Sequence, residues 1–191
     1  MLLSKTDIYM NKITLILGGA RSGKSSYAEK LAAETGLPVT YIATAQVNDD
    51  EFQQRIALHQ QSRPAHWKTV ETHHQLAESL LTETNANTCI IVDCLTLWLA
   101  QCICPDCVPA EHVENTAQFW QDARKDFLAA LPDCQGNIIL VSNEVGMGIV
   151  PLGAINRQFQ DEQGRLNQAI AQLAHEVVFI AAGLPLKLKG A

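Results

Sequence analysis

Residues 13–25 read Ile13-Thr14-Leu15-Ile16-Leu17-Gly18-Gly19-Ala20-Arg21-Ser22-Gly23-Lys24-Ser25. They pass from an apolar run through a glycine-rich turn into a stretch rich in Ser, Ala, Glu and Lys. The last eight fit the pattern G-x-x-x-x-G-K-[ST], and each residue type has a physical reason. Glycines let main-chain N–H groups turn inward as a nest, which a Cβ would obstruct. A helix opening near Lys24 aims its positive end at an anion. Lys24 can reach β- and γ-phosphates, and the Ser25 hydroxyl can ligate Mg²⁺. The expected occupant of Gly18 to Ser25, including Ala20, Arg21 and Ser22, is therefore a nucleoside triphosphate.

Working outward, short apolar runs recur at 13–17, 39–43, 89–92, 138–141 and 177–181, with a last candidate at 186–188. Most lack polar alternation, as strands covered on both faces do. Helix-like segments fall between them at about 24–35, 50–62, 73–84, 111–131 and 154–175. Such alternation predicts an α/β fold of the P-loop NTPase kind, RecA-like, with a mostly parallel sheet flanked by helices on both faces. One domain over 12–191 is expected, with 1–11 as an N-terminal extension. Residues 62–71, which include Pro64, His66 and Trp67, read as a structured loop. Residues 144–153 hold three glycines and Pro151 directly after a strand. Ligands of open parallel sheets bind beyond the carboxyl ends of the strands, so that loop is a place to look for chemistry. Asp93 closes the run 89–92, where a carboxylate can hold Mg²⁺ beside a phosphate loop. The competing role is capping a helix from Leu95 onward.

Composition narrows the function. The 191 residues are 47% hydrophobic and 18% charged, as in ordinary globular domains. The net charge of −6 comes without a basic block, which argues against a nucleic-acid surface. No stretch approaches the roughly 20 apolar residues of a membrane span, and residues 1–11 do not read as a secretory signal. A cytoplasmic enzyme is expected. Of the six cysteines, Cys89 and Cys94 flank an apolar run and read as small buried hydrophobes, while Cys134 sits in a turn. Cys102, Cys104 and Cys107 form a C-x-C-x-x-C cluster. A closed zinc site would need a fourth ligand such as His112, and surface thiols in a reducing compartment are the favoured reading.

Four segments carry a family resemblance: GGARSGKS at 18–25, RPAHW at 63–67, VDCLTLWL at 92–99 and NEVGMGIVP at 143–151. In this order they resemble the bifunctional adenosylcobinamide kinase / adenosylcobinamide-phosphate guanylyltransferase family of cobalamin biosynthesis, over about residues 13–189. The resemblance implies two reactions. ATP or GTP phosphorylates the corrinoid adenosylcobinamide, and GMP then passes from GTP to that phosphate through a guanylyl-histidine. On residue chemistry alone His59 and His66 both stay open as the nucleophile. The resemblance selects His59, because the family histidine lies in a helix just before the RPAHW segment. A neutral imidazole is nucleophilic near pH 7, and its phosphoramidate is labile enough to pass GMP on.

The resemblance further implies nucleotide contacts from Ala43, Thr44 and Ala45, from Gln60, Gln61, Ser62 and Arg63, and from Glu71. Relatives carry Ser at the Ala45 position and Glu at the Asp93 position. The first difference removes a hydroxyl, and the second keeps the charge. Arg21 and Arg63 can steady the triphosphate, and Asn143 and Glu144 end a strand where polar residues can sense a phosphate. A homo-oligomer, a trimer, is also implied. Two other readings compete: a monofunctional P-loop kinase of a small molecule, and a regulatory NTP-binding switch. The chain lacks an N-K-x-D element for reading guanine, which weakens the switch.

Overall fold

A computed structural model describes residues 11–45 and 64–190. The helix expected over 50–62 lies outside the described residues. Seven strands form one sheet: β1 (Lys12–Gly18), β2 (Val39–Ala43), β3 (Lys68–Glu71), β4 (Cys89–Asp93), β5 (Asn137–Asn143), β6 (Glu176–Ala181) and β7 (Leu184–Lys189). Their order is β3-β2-β4-β5-β1-β6-β7, parallel throughout except for β7, which runs antiparallel to β6. The α-helices are α1 (Lys24–Glu34), α2 (Leu76–Glu83), α3 (Leu95–Ile103), α4 (Thr116–Ala130) and α5 (Ala154–Leu173).

The apolar runs become strands because the sheet is covered on both sides. On one face α1 lays Ala28 and Ala32 against Ile16, Ile91, Ile139 and Val178. On the other, Ile13, Leu15, Ile90 and Leu140 pack under Leu76, Trp98, Phe127 and Leu166, which come from α2, α3, α4 and α5. Alternate residues of β1 thus serve opposite layers, as the two-residue period of a strand requires. Within the second layer Trp98 meets Trp120 and Phe127, each at a centroid distance of 5.1 Å. The mostly parallel sheet with helices on both faces is the expected fold class.

Three sequence expectations are corrected. Residues 68–71 form the edge strand β3, although 62–71 read as a loop. Lys68 to Glu71 is short and almost wholly exposed, and it pairs on one side only, so no apolar run marks it. The segment 111–131 is two pieces, a 3₁₀ turn (Ala110–Asn115) and then α4. Asn115 makes the break, its side chain accepting from the Gln118 N–H at 3.2 Å as a helix cap. Cys102 is no surface thiol: it is fully buried on α3, its thiol pushed up to about 12 by burial. Among the described residues no group of three or more His, Cys, Asp or Glu could hold a metal, and His112 instead stacks on Phe119. No helix of the described residues is long and apolar enough to cross a membrane.

Candidate active site

Parallel pairing brings the carboxyl ends of five strands to one rim. In register, Glu71 faces Ala43, Ala43 faces Asp93, and Gly18 faces Asn143. The residues expected to bind nucleotide therefore share an edge of the sheet although they are scattered in sequence. Adjacent strands lie about 4.8 Å apart, so Asp93, level with Val141 and through it with Ile16, stands roughly 10 Å across the sheet from β1. Glu71, four strands away, stands about 19 Å across, too far to share a phosphate with the loop.

The glycine loop is a cradle fixed by close backbone approach. Gly18 has φ +151°, and a Cβ there would meet the Ile180 carbonyl at 2.4 Å and Ser22 Oγ at 2.8 Å. Gly23 has φ +99°, and its Cβ would press on Gly183 Cα at 3.2 Å. The β6–β7 turn reinforces this, the Gly183 N–H donating to the Ser22 carbonyl at 2.8 Å. From the other side the Glu144 N–H donates to the Gly18 carbonyl at 3.0 Å. Ser22 Oγ is buried without a hydrogen-bond partner among the described residues. A buried hydroxyl left unpaired is costly, and a phosphate oxygen is a suitable partner for it.

Lys24 is only 7% exposed, and its Nζ donates to the Gly19 carbonyl at 2.6 Å. Burial pushes its ammonium below the usual lysine range, while Cys94 and Asp93 pull it back up. The Cys94 thiol is itself pushed up to about 12, mainly by burial, and carries no charge near neutral pH. Asp93 is therefore the anion that Lys24 senses. A polyphosphate would add negative charge beside a poorly solvated ammonium and strengthen this pull. Ser25 sits one residue into α1, half-buried.

Asp93 does not cap α3. The N-cap residue is Cys94, which makes no side-chain cap bond, and Asp93 Oδ2 instead accepts from the Tyr41 hydroxyl at 2.7 Å. Ser25 and Asp93 supply a hydroxyl and a carboxylate, hard oxygen donors of the kind Mg²⁺ prefers. Thr44 is tied to the Asp93 edge. Its hydroxyl donates to the Cys94 carbonyl at 2.7 Å and accepts from the Cys94 N–H at 2.9 Å. Its own N–H donates to the Asp93 carbonyl at 3.3 Å, and its carbonyl accepts from Gln101 Nε2. Thr44 is 0% exposed, and its hydroxyl, N–H and carbonyl are all engaged within the protein. Ala43 and Ala45 flank it, half-buried.

Asn143 and Glu144 are held from behind. The Asn143 N–H donates to Thr96 Oγ1 at 2.8 Å, and its carbonyl accepts from Asn167 at 3.2 Å. Gln163 and Asn167 both bond the buried Ser142 hydroxyl from α5. Glu144 Oε1 accepts from the Gly146 N–H at 2.6 Å. Tyr41, Thr96, Gln101, Gln163 and Asn167 escaped the sequence reading. The available signal was polarity at helix and strand positions that otherwise face the core. His59, Gln60, Gln61, Ser62 and Arg63 lie outside the described residues, while His66 is exposed.

A glycine nest with a buried lysine, opening a helix beyond a parallel sheet and facing a strand-end carboxylate, defines a phosphate-loop α/β protein. Over residues 14–188 the sequence matches the family described as cobinamide kinase / cobinamide phosphate guanyltransferase, and the chain belongs to that family. It is 51% identical over 177 residues to the bifunctional adenosylcobalamin biosynthesis protein CobP of Pseudomonas aeruginosa, spanning 92% of this chain and 96% of that one. It is 39% identical to the bifunctional adenosylcobalamin biosynthesis protein CobU of Escherichia coli and 37% identical to that of Salmonella typhimurium. Each match spans 92% of this chain and 98% of the relative. Among solved structures, the RadB recombinase is similar at a TM-score of 0.47 and 12% identity, covering 88% of this chain and 73% of that one.

Proposed function

We propose that the chain phosphorylates adenosylcobinamide with ATP or GTP and then transfers GMP from GTP to the new phosphate. The products are adenosylcobinamide-GDP and pyrophosphate. Family membership and the names of the bifunctional relatives support the pair of reactions. The observation that carries the reading is the glycine cradle with Lys24 buried inside it, on the same rim as Asp93.

In the first step the acceptor hydroxyl attacks the γ-phosphorus and the bond to the β–γ bridging oxygen breaks. Catalysis of this kind is mostly positioning and charge neutralisation, which the loop N–H groups and Lys24 supply. Ser25 and Asp93 are the residues to hold Mg²⁺, which when bound neutralises charge on the phosphate oxygens. In the second step an imidazole nitrogen of His59 attacks the α-phosphorus of GTP and pyrophosphate leaves. An oxygen of the corrinoid phosphate then attacks the phosphoramidate and frees the histidine. The covalent intermediate splits one difficult guanylyl transfer into two easier displacements. Ala43, Ala45, Gln60 to Arg63 and Glu71 complete the nucleotide site in this reading. Arg21 and Arg63 steady the triphosphate. The working form is a cytoplasmic homo-oligomer, a trimer, with no nucleic-acid partner.

Incubation with α-labelled GTP tests the covalent step. An acid-labile label is expected on the protein, on the peptide that contains His59, and is expected to disappear in His59→Ala. No label on the wild-type chain would leave a monofunctional kinase, and label retained on the mutant would move the nucleophile elsewhere. Nucleotide-dependent capture of another protein without phosphorylation of adenosylcobinamide would favour a switch.

A further inference from the structure

The loop between β5 and α5 turns the usual arrangement inside out. Its main chain is tied to the protein: Gln160 Nε2 donates to the Val145 carbonyl at 3.2 Å, and Arg157 Nη1 donates to the carbonyls of Pro151, at 3.1 Å, and Leu152. Its apolar side chains point away from the protein. Met147 is 80% exposed, Ile149 96%, Val150 67% and Leu152 97%, with Ile155 following at the start of α5. Scattered exposed apolar residues are ordinary, but a run of them on an anchored loop marks a surface with a partner.

We propose that this loop is the docking surface for the macrocycle of the corrinoid acceptor, an inference that rests on the function proposed above. Position is the first argument. The loop leaves β5 where the Glu144 N–H bonds the Gly18 carbonyl, so it borders the phosphate cradle from which the acceptor must draw a phosphoryl group. Chemistry is the second. Residues 145–155 carry no charged side chain, which suits the methyl-studded faces of an amide-fringed corrin ring and offers no cation to the phosphates of a nucleotide or nucleic acid. The third argument comes from the glycines. Neither Gly146 nor Gly148 has a left-handed φ, and a Cβ added at Gly148 would meet nothing within 4 Å. Protein packing therefore does not demand glycine at 148, whereas close approach of a bulky ligand does.

Adenosylcobinamide absorbs visible light, so equilibrium dialysis against the full chain reads its binding directly, alongside steady-state kinetics and light scattering. Each of Ile149→Ser and Leu152→Ser is expected to weaken adenosylcobinamide binding about tenfold, the loss due to one apolar side chain. Both positions are almost fully exposed, so these variants should fold as the wild type does. The KM for adenosylcobinamide should rise in parallel while the KM for GTP holds. Leu188→Ser, at an exposed apolar residue on β7 away from the loop, serves as the control and should leave binding unmoved. Unchanged corrinoid binding in both loop variants overturns the proposal. Loss of an oligomer in light scattering, with corrinoid binding intact, also overturns it and assigns the loop to a second copy of the chain. Loop-dependent binding to a wild-type chain that never phosphorylates the corrinoid would sink the parent reading while the docking surface stood.

Discussion

Thr44 separates two explanations of the same motif. Resemblance places Ala43-Thr44-Ala45 against the nucleotide, whereas the structure engages every polar group of Thr44 within the protein. Thr44→Val keeps the shape and deletes the hydroxyl. It leaves the Cys94 N–H and carbonyl, bonded at 2.9 and 2.7 Å, without that partner in a site that admits no water. The carbonyl keeps the Trp98 N–H at 3.3 Å, so only the Cys94 N–H is orphaned, and one such buried group costs about 1–3 kcal/mol. In a domain of this size that lowers the melting temperature by roughly 2–12 °C. Thr44→Ser restores the hydroxyl and should recover most of the loss.

Thermal or urea unfolding of both variants, paired with the KM for GTP, decides the matter. The expected result is a much less stable Thr44→Val whose folded fraction retains the wild-type KM. If Thr44→Val instead melts like the wild type and its KM for GTP climbs, the hydroxyl serves the nucleotide and the clasp argument is wrong.

The other predictions concern the cradle and a charged anchor. Gly18→Ala forces a Cβ to within 2.4 Å of the Ile180 carbonyl at a left-handed φ and should cost about 2–4 kcal/mol. Gly19→Ala meets nothing within 4 Å and should stay within about 0.5 kcal/mol of wild type, so equal losses in urea unfolding would refute the steric account. Glu162 accepts from Trp120 Nε1 at 2.7 Å and pairs with Arg124 and Arg165. Burial alone would raise its carboxyl, but Trp120 and the two arginines together hold it below the usual glutamate value of 4.5. A depressed carboxylate adds stability that is fully present above 4.5 and is lost as pH falls through the lower folded value. Glu162→Gln should therefore trail the wild type by about 1–2 kcal/mol at pH 7 and converge with it below pH 4.5. A gap that stays constant with pH would mean that charge plays no part.

What the sequence made legible was whatever is local. The phosphate loop is eight consecutive residues, so its nest, lysine and helix start could be read directly, as could six strands that are short apolar runs. What stayed hidden depends on strand order. Tyr41 reaches Asp93 across 52 positions, and Gln101 reaches Thr44 across 57, only because β2 and β4 are neighbours. Nothing local to Thr44 marks it as a clasp. The edge strand β3 escaped because an exposed strand paired on one side needs no apolar run, and Cys102, read as a surface thiol, because nothing in C-x-C-x-x-C shows that α3 turns it into the core.

These omissions bear on how two reactions can share one site. Ile180, Gly183 and Glu144 press on the cradle from β6–β7 and from the end of β5, while Tyr41 and Thr44 fix the Asp93 edge from β2. Main-chain contacts dominate the first set, so the phosphate seat is rigid and reads little beyond charge. In the function proposed above, identity is read farther out, where Glu71 stands about 19 Å across the rim and the apolar loop leaves β5. In that proposal a triphosphate held by its tail presents the γ-phosphorus to one acceptor or the α-phosphorus to another, according to what fills those outer positions. Rigid grip at the centre with recognition at the periphery is how a single loop can serve both a kinase and a nucleotidyl transfer.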